Sequence, residues 1–168
     1  MKKIILFLLF IIFPTYFSNA SFLNDSSTYY KLHSDISSNW YMNEKSAKVL
    51  RYDPPYYAIQ GNLIRETVGN PEIQCMTIIF YYDYDNQIMK CKPISLTIYD
   101  LNGNILKTND DEYVEIMDIP PGNNGQQTNL LGSLGDFYFF ACYHMFFFKN
   151  DDTSSFTLPL STNIDFNH

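Results

Sequence analysis

The chain has 168 residues, 46% of them hydrophobic and 17% aromatic, with a formal charge of −7 at neutral pH. That length suits a single globular domain with a real core. With 11 basic residues against 18 acidic ones, nucleic acid is not an expected partner, because its phosphates demand Lys and Arg, and an anionic membrane surface is disfavoured for the same reason.

Residues 1–20 have the three parts of a cleavable secretory signal peptide. Lys2 and Lys3 open it, Ile4 to Phe13 is an unbroken apolar run, and Ser18-Asn19-Ala20 supplies small residues at the cleavage positions. The apolar run is about half the roughly 20 residues that a membrane-spanning helix needs. No cysteine follows the cleavage site, so a bacterial lipoprotein is not indicated. Without the leader, nine basic residues (11 less Lys2 and Lys3) face 18 acidic ones, a formal charge of −9. Such a surface suits solubility, a basic partner or weak divalent-cation binding. No later apolar run reaches spanning length; Phe137 to Phe148 comes nearest and is broken by Cys142 and His144.

Residues 21–38 are rich in Ser, Asp and Asn and are expected to form a flexible polar arm. The domain is expected over residues 39–149, opening at Trp40, the single tryptophan. Val49 to Tyr52 is a short strand, stopped by Asp53-Pro54-Pro55. Tyr56 to Val68 alternates, with Tyr57, Ile59, Gly61 and Leu63 on one face and Gln60, Asn62 and Ile64 on the other. After the Gly69-Asn70-Pro71 turn, Ile73 to Tyr82 is β-branched and aromatic on both faces, which predicts a central strand. Gln87 to Lys92 and Pro93 to Tyr99 continue the sheet, with Pro93 marking an edge, bulge or break. Asn102-Gly103 predicts a two-residue hairpin with positive φ at both residues. Ile105-Leu106 begins the returning strand, and Tyr113 to Met117 is another.

A Pro/Gly loop at 119–129 gives way to an apolar segment from Leu130 to Lys149. There Leu134, Phe137, Phe140, Ala141, His144, Met145 and Phe148 recur at spacings of three and four, predicting a helix packed on the sheet. The opposing reading is a buried strand, and length favours the helix. Residues 150–168 read as a flexible tail. The expected fold is α+β: a meandering antiparallel β-sheet packed against one C-terminal α-helix.

The chemistry-bearing residues are few. Cys75, Cys91 and Cys142 allow one bridge with one thiol left over in an oxidising compartment, and the residues alone leave the pairing open. Cys142 and His144 make a poor nucleophile and base, because residues two apart on a helix point about 200° apart and the Phe, Tyr and Met surroundings raise a thiol pKa. Asp100, Asn102 and Asn104, with Asp111 further on, echo a calcium loop, but Ile105 stands where Gly is required and Asp111 where a bidentate Glu is required. No catalytic, cofactor-binding or metal residue is assigned. The tyrosine-rich segments suit either packing or recognition. The candidate interface aromatics are Trp40, Tyr56, Tyr57, Tyr82 and Tyr84.

Across residues 39–146 the layout resembles the surface-adhesin protein E family of small exported bacterial proteins. The likeness is carried by Asn39-Trp40-Tyr41 with Ser46 to Leu50 following, by Cys91 before a strand ending Tyr99-Asp100-Leu101-Asn102-Gly103, and by Pro120-Pro121-Gly122 before an apolar segment containing Cys142. It implies a sheet stapled to a C-terminal helix by Cys91 and Cys142, in an envelope protein able to bind host or matrix proteins. Cys75, the Asp53-Pro54-Pro55-Tyr56-Tyr57 segment and the heavy Tyr/Phe content depart from the family pattern. The expected role is non-enzymatic: a periplasmic or cell-surface domain acting on a protein partner, without cofactor. The alternatives are a small secreted hydrolase or hydrolase inhibitor, and a structural envelope or assembly component.

Overall fold

A computed structural model describes residues 21–110, 115–120 and 129–148; the expected leader and tail lie outside them. Among the described residues, eight strands form one antiparallel sheet: β1 (Tyr29–Ser34), β2 (Ser38–Asn43), β3 (Lys48–Asp53), β4 (Tyr56–Thr67), β5 (Glu72–Asp83), β6 (Ile88–Asp100), β7 (Ile105–Asp110) and β8 (Met117–Ile119). The order is β1-β2-β4-β5-β6-β7, with β3 also on β4 and β8 also on β6. β2 pairs with the end of β4 at Leu63 to Thr67, and β3 with its start at Tyr56 to Gln60. β7 and β8 divide the outer edge of β6 in the same way. The sheet is therefore a meander in chain order, left open at its edges, with β5 central as expected.

Period-two patterning fixes which side chains meet. On β4, Tyr57, Ile59 and Leu63 join the main core, together with Ile78, Phe80 and Tyr82 of β5 and Met89 and Cys91 of β6. Helix α1 (Leu130–Tyr143) covers this face through Leu134, Tyr138 and Phe139. Asn129 caps α1, its side chain accepting the Gly132 N–H at 2.6 Å. The helix ends at His144, left-handed at φ 56°, and the chain folds back so that Phe147 and Phe148 are buried.

The buried stripe of α1 differs from the expected one. Phe137, Phe140 and Ala141 are half-buried, and His144 and Met145 are exposed. Two glycines decide the close-contact side. A Cβ on Gly135 would overlap the Met89 sulfur, and a Cβ on Gly61 would overlap the Tyr138 ring. Tyr138 therefore lies flat on the β4 backbone, and the face carrying Gly135, Tyr138 and Phe139 turns inward.

Residues 21–38, expected as an arm, begin with a short 3-10 turn at Phe22–Asn24 and then form β1. Leu23 is buried with Ile64, Ile73 and Cys75 on the sheet face away from α1, with Phe22, Tyr29 and Tyr99 packed around them. Local composition is polar, but the contacts that order this segment come from β4 and β5 and are remote in sequence.

The Asn102-Gly103 turn also differs from expectation. Only Gly103 has positive φ, at 85°. The Gly103 N–H donates to the Asp100 carbonyl, and the Asp100 N–H to the Asn104 carbonyl, a three-residue loop with its glycine at the bulge. The Asp100 carboxylate accepts the Asn104 side-chain amide at 2.8 Å and the Asn104 and Asn102 backbone N–H groups at 2.8 and 2.9 Å, and these bonds, the side-chain one foremost, hold its pKa below the usual value. Pro93 sits at a β-bulge: it stands opposite Ile78 while Ser95 stands opposite Thr77, leaving Ile94 as the extra residue. The expected 113–117 strand is displaced: only Met117 belongs to β8, which runs on to Ile119, Glu115 and Ile116 precede it outside any strand, and Tyr113 and Val114 lie outside the described residues.

Candidate functional site

The expected aromatic face is divided by the fold. Tyr82 is 2% exposed, sits between Phe139 and Phe147, and donates its hydroxyl to the Gly135 carbonyl at 2.8 Å. It is a core residue and cannot meet a partner. It lies on β5, covered by α1, where a tyrosine survives burial because its hydroxyl finds a carbonyl. Trp40 is half-buried on β2 opposite Arg65, whose guanidinium lies 5.1 Å from its ring. Arg65 is nine residues along β4 from Tyr56, about 30 Å at strand rise, so Trp40 belongs to the far end of the sheet.

Tyr57 and Tyr84 do come together beside the β3–β4 hairpin, while Tyr56, the neighbouring residue on β4, points to the opposite face. Tyr57 packs against Phe139 at 5.2 Å and Tyr84 at 6.5 Å, while Tyr84 stacks on Phe139 at 5.9 Å. The Tyr84 N–H donates to the Pro55 carbonyl at 2.9 Å and ties the β5–β6 loop to the hairpin tip. Burial, with the neighbouring Tyr52 and Tyr84 hydroxyls, raises the Tyr57 pKa.

Tyr52 is the residue that sequence reasoning missed. It is 66% exposed and packs edge-on against Tyr57 at 5.7 Å, with Tyr143 equally distant. Val49 and Leu50, at 45% and 43%, continue the exposed strip along β3, while Tyr56, at 45%, lies on the other face of the hairpin under the Arg51 guanidinium at 5.3 Å. Arg51 also pairs with Asp53 at 2.6 Å. Every residue of β3 is exposed, and among the described residues the strand pairs only with β4. The signal available in the sequence was the double proline after a short apolar strand: it forces a hairpin there, and a short strand ending in prolines reads as an edge. The strip combines an open backbone edge, aliphatic and aromatic side chains, and one ion pair, and those are the elements of strand-addition recognition.

The cysteines do not form the implied staple. All three are free thiols. Cys91 is the cross-strand partner of Phe80, which, with Met89, meets α1 at Gly135. Cys142 stands in the last turn of α1, seven residues beyond Gly135, and is not bridged to Cys91. Cys75 lies on the opposite face of the sheet. Burial raises all three thiol pKa values, that of Cys75 to about 11, and the Glu44 carboxylate adds to the effect at Cys142. His144, at the left-handed cap, places its ring edge-on to Phe140. Neither a thiolate nor a paired base is favoured by these surroundings. Among the described residues no cluster of three or more His, Cys, Asp or Glu could hold a metal ion, and no helix is long and apolar enough to cross a membrane.

Comparison with protein-family models, with curated proteins and with solved structures found no match to this chain.

Proposed function

We propose that this protein is an exported, non-enzymatic domain of the periplasm or cell surface that acts by protein contact, and that its contact face is the β3–β4 hairpin end. The observation that carries the reading is the exposed strip of Val49, Leu50 and Tyr52 beside the open edge of β3, with Tyr56 exposed on the other face of the same hairpin. An edge of this kind is a template for another chain unless it is guarded, and tyrosine is enriched where proteins bind one another. Export is supported by the leader-like residues 1–20, and a protein partner over nucleic acid by the acidic balance.

The test is affinity capture from envelope and extracellular fractions with the wild-type chain and with a Tyr52→Ser/Tyr56→Ser variant. A specific protein retained by the wild type and lost by the variant supports the proposal. Capture that is indifferent to both substitutions contradicts the assigned face.

A further inference from the structure

We propose that the open edge of β3 docks a second copy of this chain, joining two sheets antiparallel about a two-fold axis between Leu50 and Arg51. The inference rests on the contact-face reading above and names its occupant. The strand Lys48-Val49-Leu50-Arg51-Tyr52-Asp53 is complementary to itself in this register. Lys48 meets the second copy's Asp53, Val49 meets its Tyr52, Leu50 and Arg51 face each other beside the axis, and the same pairs recur across it. Opposite charges and an aromatic facing a β-branched residue are both favourable cross-strand pairs.

The strand's irregularity makes the register possible. In a regular strand, residues 49 and 52 would point to opposite faces and could not meet across a two-fold axis. The register shift between Val49 and Arg51 leaves Leu50 as an extra residue. Val49 then stands opposite Ile59 and Tyr52 opposite Tyr57, both on the face that α1 covers. Lys48, opposite Gln60, and Asp53, opposite Tyr56, share the other face. A bulge commonly guards an edge against pairing; here it matches faces. Arg51 engages Oδ2 of Asp53, and the carboxylate has a second oxygen for an incoming ammonium. The same operation on β7 sets Ile105 against Asp110, which is no complement.

A six-residue strand pair is a small interface, so the dimer is weak and concentration-dependent, and its exposed ion pairs weaken it further as salt rises. The test is sedimentation equilibrium on the full chain, as the cell processes it, with Lys48→Glu and Asp53→Lys as variants and circular dichroism to verify their folds. The expected result is a wild-type mass that climbs from one chain toward two with concentration, and single chains for each variant alone. An equimolar mixture of the two variants should dimerise again, because each charge then meets its opposite. A wild type that stays single at every concentration, variants that dimerise like the wild type, or a mixture that stays single overturns the assignment. A single-chain wild type that still captures a different protein through Tyr52 and Tyr56 overturns the second copy and leaves the contact face standing.

Discussion

Replacing Tyr138 with Phe removes one buried oxygen from the point where the sheet is interrupted. Between β2 and β3 the chain leaves the β4 edge at Glu44–Ser46, so Asn62 loses its strand partner on that side. The Asn62 N–H is received twice, by the Tyr138 hydroxyl at 2.7 Å and by the Ser46 hydroxyl at 3.0 Å. The Tyr138 hydroxyl also lies 2.8 Å from the Asn62 carbonyl and 3.2 Å from the Asn43 carbonyl, to either of which it can donate. Burial pushes its pKa up to about 12, so it keeps its proton. Each single substitution, Tyr138→Phe or Ser46→Ala, leaves the Asn62 N–H one acceptor and should cost about 1 kcal/mol, the net worth of a hydrogen bond. The double variant strips both acceptors. It adds the penalty of an orphaned buried donor, about 1–3 kcal/mol, so the pair should be coupled by at least about 1 kcal/mol beyond additivity. Urea denaturation of the wild type and the three variants, at constant m-value, measures this cycle. Costs that add to within about 0.5 kcal/mol, or a neutral Tyr138→Phe, would refute the reasoning.

Asp136 predicts a pH dependence of stability. Its carboxylate is buried and accepts the Phe147 N–H at 2.6 Å; burial dominates and raises its pKa to about 6. A raised carboxyl binds its proton more tightly in the folded state, so its contribution is full below the ordinary value of 3.8 and is lost as pH rises through about 6. The loss by neutral pH is about 3 kcal/mol at roughly 1.4 kcal/mol per pH unit. Asp136→Asn keeps an acceptor and no charge. Between pH 7.5 and pH 5 the wild type should therefore gain stability relative to this variant, and equal shifts in urea midpoint would contradict the prediction. For the cysteines, alkylation in denaturant without reductant, read by mass spectrometry, should label all three thiols. In the native state Cys142 should react ahead of the buried Cys75 and Cys91, and a bridged pair at any two positions would contradict the free-thiol structure.

The long strands were legible because their signal is local. Alternation over Tyr56 to Val68 sorted β4 into its two faces, Gly61 with Tyr57, Ile59 and Leu63, and the apolar run of β5 announced its central place. The prolines and the glycine turns marked the meander. What could not be read depended on partners remote in sequence. β1 is polar by composition and is ordered through contacts such as Leu23 with Ile73. The inward face of α1 is set by Gly135 against Met89 and by Tyr138 against Gly61, not by where the largest phenylalanines recur. The candidate site was half visible. Tyr57 and Tyr84 meet beside the hairpin and Tyr56 stands on its other face, while Tyr82 is withdrawn because alternation does not reveal which face a helix covers. Tyr52 was hidden inside a segment read only as a strand. The staple between Cys91 and Cys142 failed because a likeness in spacing carries no information about where along α1 the second thiol stands.

Hydrogen–deuterium exchange on the free chain and on the chain in complex, with a captured partner or a second copy, tests the contact-face claim most directly. Protection gained on binding should fall on the amides of residues 48–53 and on the adjoining tip at Tyr56. Protection centred on the Trp40 end of the sheet or on β7, with β3 exchanging as freely as before, would contradict it.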